Sequence, residues 1–170
     1  MIDFNNLSKN PVSHWQYRGT HDFEVPIWAF GFIYSIEQID PAPGTKYKYI
    51  GRKYLTASKT TTKKVLLKSG VKKTQKKKSR VESGWRDYTG SCIPLNAQIE
   101  KLGKEAFKFE ILEFSKTKGQ CNFLEVFFQM RANVLGDDSY FNDAVGSGMF
   151  RGVKFDNDFK KLLSEIKIWN

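Results

Sequence analysis

Several residue types are scarce in this 170-residue sequence, and each scarcity removes a class of protein. Cys92 and Cys121, with His14 and His21, are too few and too scattered for a disulfide framework or for zinc ligands at finger spacing. No long apolar run exists: the longest nearly uninterrupted stretch, residues 25 to 34, is half the roughly 20 residues a membrane-spanning helix needs. The first residues, Met1-Ile2-Asp3-Phe4-Asn5-Asn6, carry neither the basic segment nor the apolar core of a secretory signal, so the expected location is cytoplasmic. GxSxG, HExxH and Cys-His arrangements are missing, which leaves acyl transfer and zinc hydrolysis without support. Gly146-Ser147-Gly148 lacks the Lys-Ser or Lys-Thr ending of a phosphate loop and reads as a hinge.

Acid is also missing where base is plentiful. The chain carries +10 at neutral pH, and residues 59 to 80 hold ten cations with no Asp or Glu, so this segment accounts for the whole net charge. Charge concentrated this way marks a surface for a polyanion, with nucleic acid ahead of membrane, because a membrane-surface helix needs Trp, Phe and Leu along one side. Lys63, Lys64, Lys72, Lys73, Lys76, Lys77, Lys78 and Arg80 are the expected phosphate-contacting residues. With only Val65, Leu66, Leu67 and Val71 to bury, the segment reads as a mobile loop in the free protein.

The apolar material, 40% of residues with 15% aromatic, suffices for one folded domain. Residues 1 to 24 show no period and read as an irregular arm. Trp28 to Ile36 is rich in aromatic and β-branched residues and reads as a strand, closed by the turn signal Asp40-Pro41-Ala42-Pro43-Gly44. Lys46 to Leu55 alternates and predicts a second strand pairing back on the first. A short helix is expected from Pro94 to Leu102, stopped by Gly103. A third strand is expected over Phe107 to Phe114, with either Leu112 or Phe114 on its apolar side, and a largely buried helix over Asn122 to Leu135. Phe155, Phe159, Leu162, Leu163, Ile166 and Trp169 predict an amphipathic helix packing on the same domain. The order suggests a small mixed α/β (α+β) domain.

Glu125 lies on the buried helix among Phe123, Leu124, Val126, Phe127 and Met130. A carboxylate there is costly unless partnered. It is a ligand to a hard cation such as Mg²⁺, a member of a buried salt bridge to a nearby Arg or Lys, or exposed on the helix's polar edge. Tyr34 and Tyr49 taken alone read as sheet aromatics, and a tyrosine becomes a base near neutral pH only where cations lower its pKa. Arg52, Lys53 and Arg86 are the cations placed to do so.

Gly31-Phe32-Ile33-Tyr34 on one strand and Tyr49-Ile50-Gly51 on the next, followed by Glu125 and Asn142 in that order, resemble the GIY-YIG nuclease superfamily over residues 29 to 143. Within it, Tyr49-Ile50-Gly51-Arg52-Lys53 and Ser83-Gly84-Trp85-Arg86-Asp87-Tyr88-Thr89-Gly90-Ser91 are most similar to the freestanding phage Seg-like (SegE-type) homing endonucleases. The resemblance implies a three-stranded sheet flanked by helices, and three parts: an arm at 1–28, a nuclease domain at 29–143 with a Lys-rich insert at 56–82, and a helix at 144–170. It implies Mg²⁺-dependent hydrolysis of double-stranded DNA, with Mn²⁺ as substitute, by a monomer or dimer in the host cytoplasm. Glu125 would hold the metal, Tyr34 would accept a proton from or orient the attacking water, and Tyr49 would place the water or the scissile phosphate. Arg52, Lys53 or Arg86 would stabilise the transition state, Tyr88 would stand where many members carry His or Tyr, and Asn142 would hold a phosphate or the tyrosine network. A restriction-type enzyme and a non-catalytic binding module are the alternatives.

Overall fold

A computed structural model describes residues 14–66 and 72–146, together with 157, 158, 161 and 165. Its central element is a four-stranded sheet in the order β1-β6-β2-β3, formed by β1 (Trp15–Tyr17), β2 (Gly31–Gln38), β3 (Lys48–Tyr54) and β6 (Phe107–Ser115). The three expected strands are present, β2 pairing antiparallel with both β3 and β6. Strand β1 extends them: within the expected irregular arm Trp15–Tyr17 pair in parallel with β6 from Trp15↔Phe109, while residues 21–24 are irregular as expected. Trp15 decides this: its ring is fully buried and its Nε1 donates to the Trp85 carbonyl at 3.0 Å, both contacts made far away in sequence.

Strand β2 is central, so both its faces are covered and its apolar run is nearly continuous. One face carries Phe32, Tyr34 and Ile36 into a core with Trp85, Leu95 and Ile99, the last two on α1 (Ile93–Leu102). The other carries Ile33, with Ile50 of β3, against Cys121, Leu124 and Phe128 of α2 (Lys118–Arg131). A register shift between Ile33 and Tyr34 settles the ambiguity in the third strand. Tyr34 pairs with Ile111 and Ile33 with Glu113, so Leu112 is extra and both Ile111 and Phe114 join the first core, while Leu112 packs against the second.

Helix α1 ends as expected at Gly103, whose φ of 87° suits a residue without a side chain. Helix α2 starts before the expected Asn122, because Thr117 caps it by accepting from the Gln120 amide at 3.1 Å. It also stops short of Leu135. Asn133 turns left-handed at φ 49°, and Val134 N to Gln129 O at 3.2 Å with Asn133 N to Met130 O at 3.1 Å closes a Schellman motif over the buried Val134.

The Lys-rich insert departs most from expectation. It is a two-stranded antiparallel ribbon of β4 (Thr56–Leu66) and β5 (Lys72–Glu82), not a loop. Thr and Val along it favour extended backbone, and the base is closed by Ser83 N to Leu55 O at 3.0 Å. The apolar residues of the expected carboxyl-terminal helix lie outside the described residues; Asp158 of that segment meets Lys116 at 2.6 Å.

Candidate active site

Strand β3 is an edge strand, and that position builds the site. Alternation puts Tyr49, paired with Ile36, and Lys53, paired with Phe32, on the Tyr34 face, while Arg52, paired with Ile33, points to the α2 face. Groups on the two faces meet around the outer edge of β3, which residues 139–142 cover only as far as Ile50. There an open cleft of about 550 Å³ is lined by Tyr49, Arg52, Ser91, Glu125, Gln129 and Asn142 among others.

On the first face, Tyr34 is fully buried, its ring centroid 6.1 Å from that of Tyr49 and 5.9 Å from that of Tyr88. Its hydroxyl has the Tyr88 phenol as polar neighbour but no hydrogen bond of standard geometry. Burial first, then the neighbouring Tyr88 and Tyr49, push the Tyr34 phenol well above the usual tyrosine range. Tyr49 is half-buried, with its hydroxyl 3.5 Å from Ser91 Oγ, and burial raises it as well, only partly opposed by Ser91 and Arg52. Both tyrosines are therefore raised and not lowered: at Tyr49 burial outweighs Arg52, and at Tyr34 burial acts together with the neighbouring tyrosines. Lys53 Nζ sits 3.8 Å from the centroid of the Tyr88 ring, and its own pKa is lowered by burial. Arg86 turns elsewhere, stacking on Trp85 at 4.4 Å with its Nε 3.3 Å from Glu82.

On the second face, Glu125 is buried at 8% exposure and forms an ion pair with Arg52. Of the alternatives open for this carboxylate, the salt bridge is the one observed, and the pair lines the cleft rather than hiding beneath it. Arg52 Nε also donates to the Tyr54 hydroxyl at 3.3 Å, which donates to Asn122 Oδ1 at 2.8 Å. Among the described residues no group of three or more His, Cys, Asp or Glu is placed to hold a metal. One carboxylate at a cleft fits Mg²⁺, which keeps several waters and takes phosphate oxygens from its substrate; it does not fit a structural zinc.

Asn142 uses both ends of its amide on one backbone unit. Its Oδ1 accepts from Ile50 N at 3.0 Å and its Nδ2 donates to Ile50 O at 2.8 Å, continuing along the β3 edge the pairing begun by Phe141 N to Lys48 O at 2.7 Å. Gln129, which sequence reasoning missed, donates to the same Ile50 carbonyl at 3.0 Å and accepts from Gly146 N at 2.9 Å. Its signal was available: Gln129 lies one helical turn after Glu125, on the same face of the helix. Ser91 closes the Ser83–Ser91 motif, but no role was expected of it. His14, far away in sequence, donates from Nε2 to the Tyr88 carbonyl at 3.1 Å, away from the cleft lining.

Beside the cleft, a second groove of about 600 Å³ runs between the sheet and the base of the ribbon. Arg52, Lys53, Arg80 and Lys118 line it, and no carboxylate does. Among the expected phosphate contacts, Lys63, Lys64, Lys76, Lys77, Lys78 and Arg80 are exposed along the ribbon, while Lys72 and Lys73 have a described backbone only.

A tyrosine pair across an antiparallel hairpin, with a helical glutamate at its outer edge, defines a GIY-YIG domain. The family model described as "Putative endonuclease segE, GIY-YIG domain" matches residues 15–145, and the chain belongs to that family. No curated protein and no solved structure matches it.

Proposed function

We propose that this protein is a metal-dependent DNA endonuclease of the phage homing type. The observation that carries the proposal is the buried Glu125 carboxylate held with Arg52 at the same cleft as Tyr49. When bound, Mg²⁺ on Glu125 would supply Lewis-acid stabilisation of charge on the scissile phosphate. The chain's own groups would do the rest. Arg52 and Lys53, beside the acid-free groove, would seat the phosphodiester and oppose the charge that builds in the transition state. Tyr49, at the rim, would position the attacking water or the phosphate. Tyr34, neutral and deep, would orient rather than take up a proton, since its raised pKa leaves almost no phenolate near neutral pH. Asn142 and Gln129 would act through Ile50 by fixing the backbone between Tyr49 and Gly51.

Supercoiled plasmid and phage-derived DNA incubated with Mg²⁺ or EDTA, with wild type and Glu125→Ala in parallel, test this reading. Mg²⁺-dependent scission lost in the variant is the expected result, and scission unchanged in the variant would sink the assigned site. A few discrete fragments from long DNA mark a homing enzyme, whereas many short, symmetric cuts mark a restriction type. The unlowered tyrosines favour one further reading, a non-catalytic binding module, which predicts salt-dependent binding with intact DNA across several metals.

A further inference from the structure

The register of the ribbon separates its charges in a way the bare sequence hides. From Ser58↔Arg80 to Lys64↔Thr74, seven successive cross-strand pairs each join one cation to one neutral residue. Like charges directly opposite destabilise a ladder, so this register packs cations densely along the ribbon without setting any two face to face. None of these seven cations has a carboxylate partner among the described residues.

Alternation then divides the pairs between two faces. One face carries Ser58–Arg80, Thr60–Lys78, Thr62–Lys76 and Lys64–Thr74; the other carries Lys59–Ser79, Thr61–Lys77 and Lys63–Gln75. The faces differ at their base. Ser58 and Arg80 line the acid-free groove with Arg52, Lys53 and Lys118, so the first face brings a cation into that groove; its next rung, Thr56–Glu82, adds a carboxylate that Arg86 meets at 3.3 Å and that does not line the groove. Below Lys59–Ser79, the second face reaches the same groove only through Ala57 of the uncharged pair Ala57–Val81, and so brings no cation to it.

We propose that the Lys64, Lys76, Lys78 and Arg80 face of the ribbon is the surface that lies on duplex DNA, while the Lys59, Lys63 and Lys77 face stays in solvent. The inference rests on the nuclease reading for its substrate and adds the side from which the duplex approaches. A two-stranded ribbon fits the B-DNA major groove, and seven rungs at about 3.3 Å each span roughly 23 Å. Ser and Thr hydroxyls interleaved with Lys supply phosphate hydrogen bonds as well as charge, which sets register without reading sequence. The right-handed twist of a ribbon lets one face follow a helical groove.

The test compares two full-length variants of equal charge loss, Lys64→Ala/Lys76→Ala/Lys78→Ala and Lys59→Ala/Lys63→Ala/Lys77→Ala. Binding to a mixed-sequence duplex is followed by anisotropy across a salt series in EDTA. The first triple should flatten the slope of log K against log salt by about 2 to 3, near 0.9 for each lost phosphate contact, and the second by less than about 1. Equal losses from the two triples would overturn the proposal. Lysine acetylation of the wild type with and without duplex keeps the test decisive if a triple fails to fold: Lys64, Lys76 and Lys78 should be protected while Lys59, Lys63 and Lys77 stay reactive, and uniform protection would overturn it. One-sided protection in a protein that never cuts with Mg²⁺ would leave this inference standing and remove the nuclease reading. Cutting with uniform protection would do the reverse.

Discussion

Gly51 stands directly opposite Tyr34 in the β2–β3 ladder, and a Cβ at that glycine would lie 2.6 Å from the Tyr34 hydroxyl and 2.8 Å from the Tyr49 ring. The glycine after the second tyrosine is thus the space into which both tyrosines fit. Gly51→Ala should destabilise the protein by about 1–3 kcal/mol, the usual cost of overpacking a filled core. Urea unfolding measures it, and a cost near zero would show that the tyrosines can move aside.

Tyr34→Phe should leave stability unchanged or slightly raised, because the hydroxyl removed is buried without a hydrogen bond of standard geometry. Thermal melts and plasmid cutting on the same sample separate two roles. Lost scission at unchanged stability assigns the hydroxyl to the chemistry, and unchanged scission returns Tyr34 to the core.

Removing one member of the Arg52–Glu125 pair should cost less than the ~3–5 kcal/mol of a fully buried pair, since the Arg52 side chain keeps 24% of its exposure. Arg52→Met and Glu125→Gln should both lower the melting temperature. A double variant that restores stability while scission stays absent would show that the carboxylate is held for function and not for folding.

Asn142→Ala should cost about 1–3 kcal/mol, because the backbone N–H and C=O of Ile50 both lose this partner, although Gln129 still reaches the carbonyl. Denaturant unfolding checks this. Activity lost without any loss of stability would point instead to direct contact with DNA.

His14 gives stability an acid-side pH dependence. Burial, the largest cause, holds its folded pKa below the ordinary 6.5, and Lys104 adds to the effect against the Tyr88 hydrogen bond and Asp87. The unfolded chain therefore binds the proton more readily than the folded one, and stability falls as pH drops through 6.5 toward the lower folded value. Melts from pH 7.5 to pH 5, on the order of one unit either side of a histidine's usual range, should decline in the wild type and flatten in His14→Gln.

Local pattern was enough for the three main strands, for α1 with its Gly103 stop, and for the tyrosine hairpin, because alternation, Pro and Gly act through the backbone over a few residues. The tyrosines, Glu125 and the cations were likewise legible as residue types in order along the chain. Long-range pairing decided the rest. Trp15 becomes part of a strand only against β6, Leu112 is displaced only by the register of β2, and the lysines share a ribbon in a register whose seven rungs from Ser58–Arg80 to Lys64–Thr74 each join a cation to a neutral partner. Which faces meet was decided by the tertiary structure too. Tyr49 and Arg52 point to opposite sides of β3, and they line one cleft with Glu125 because β3 is the sheet's edge, where both sides open onto the same space. The tyrosine pKa directions followed from tertiary packing too, since burial in the first core raised Tyr34 and, at Tyr49, outweighed Arg52 three residues away in sequence.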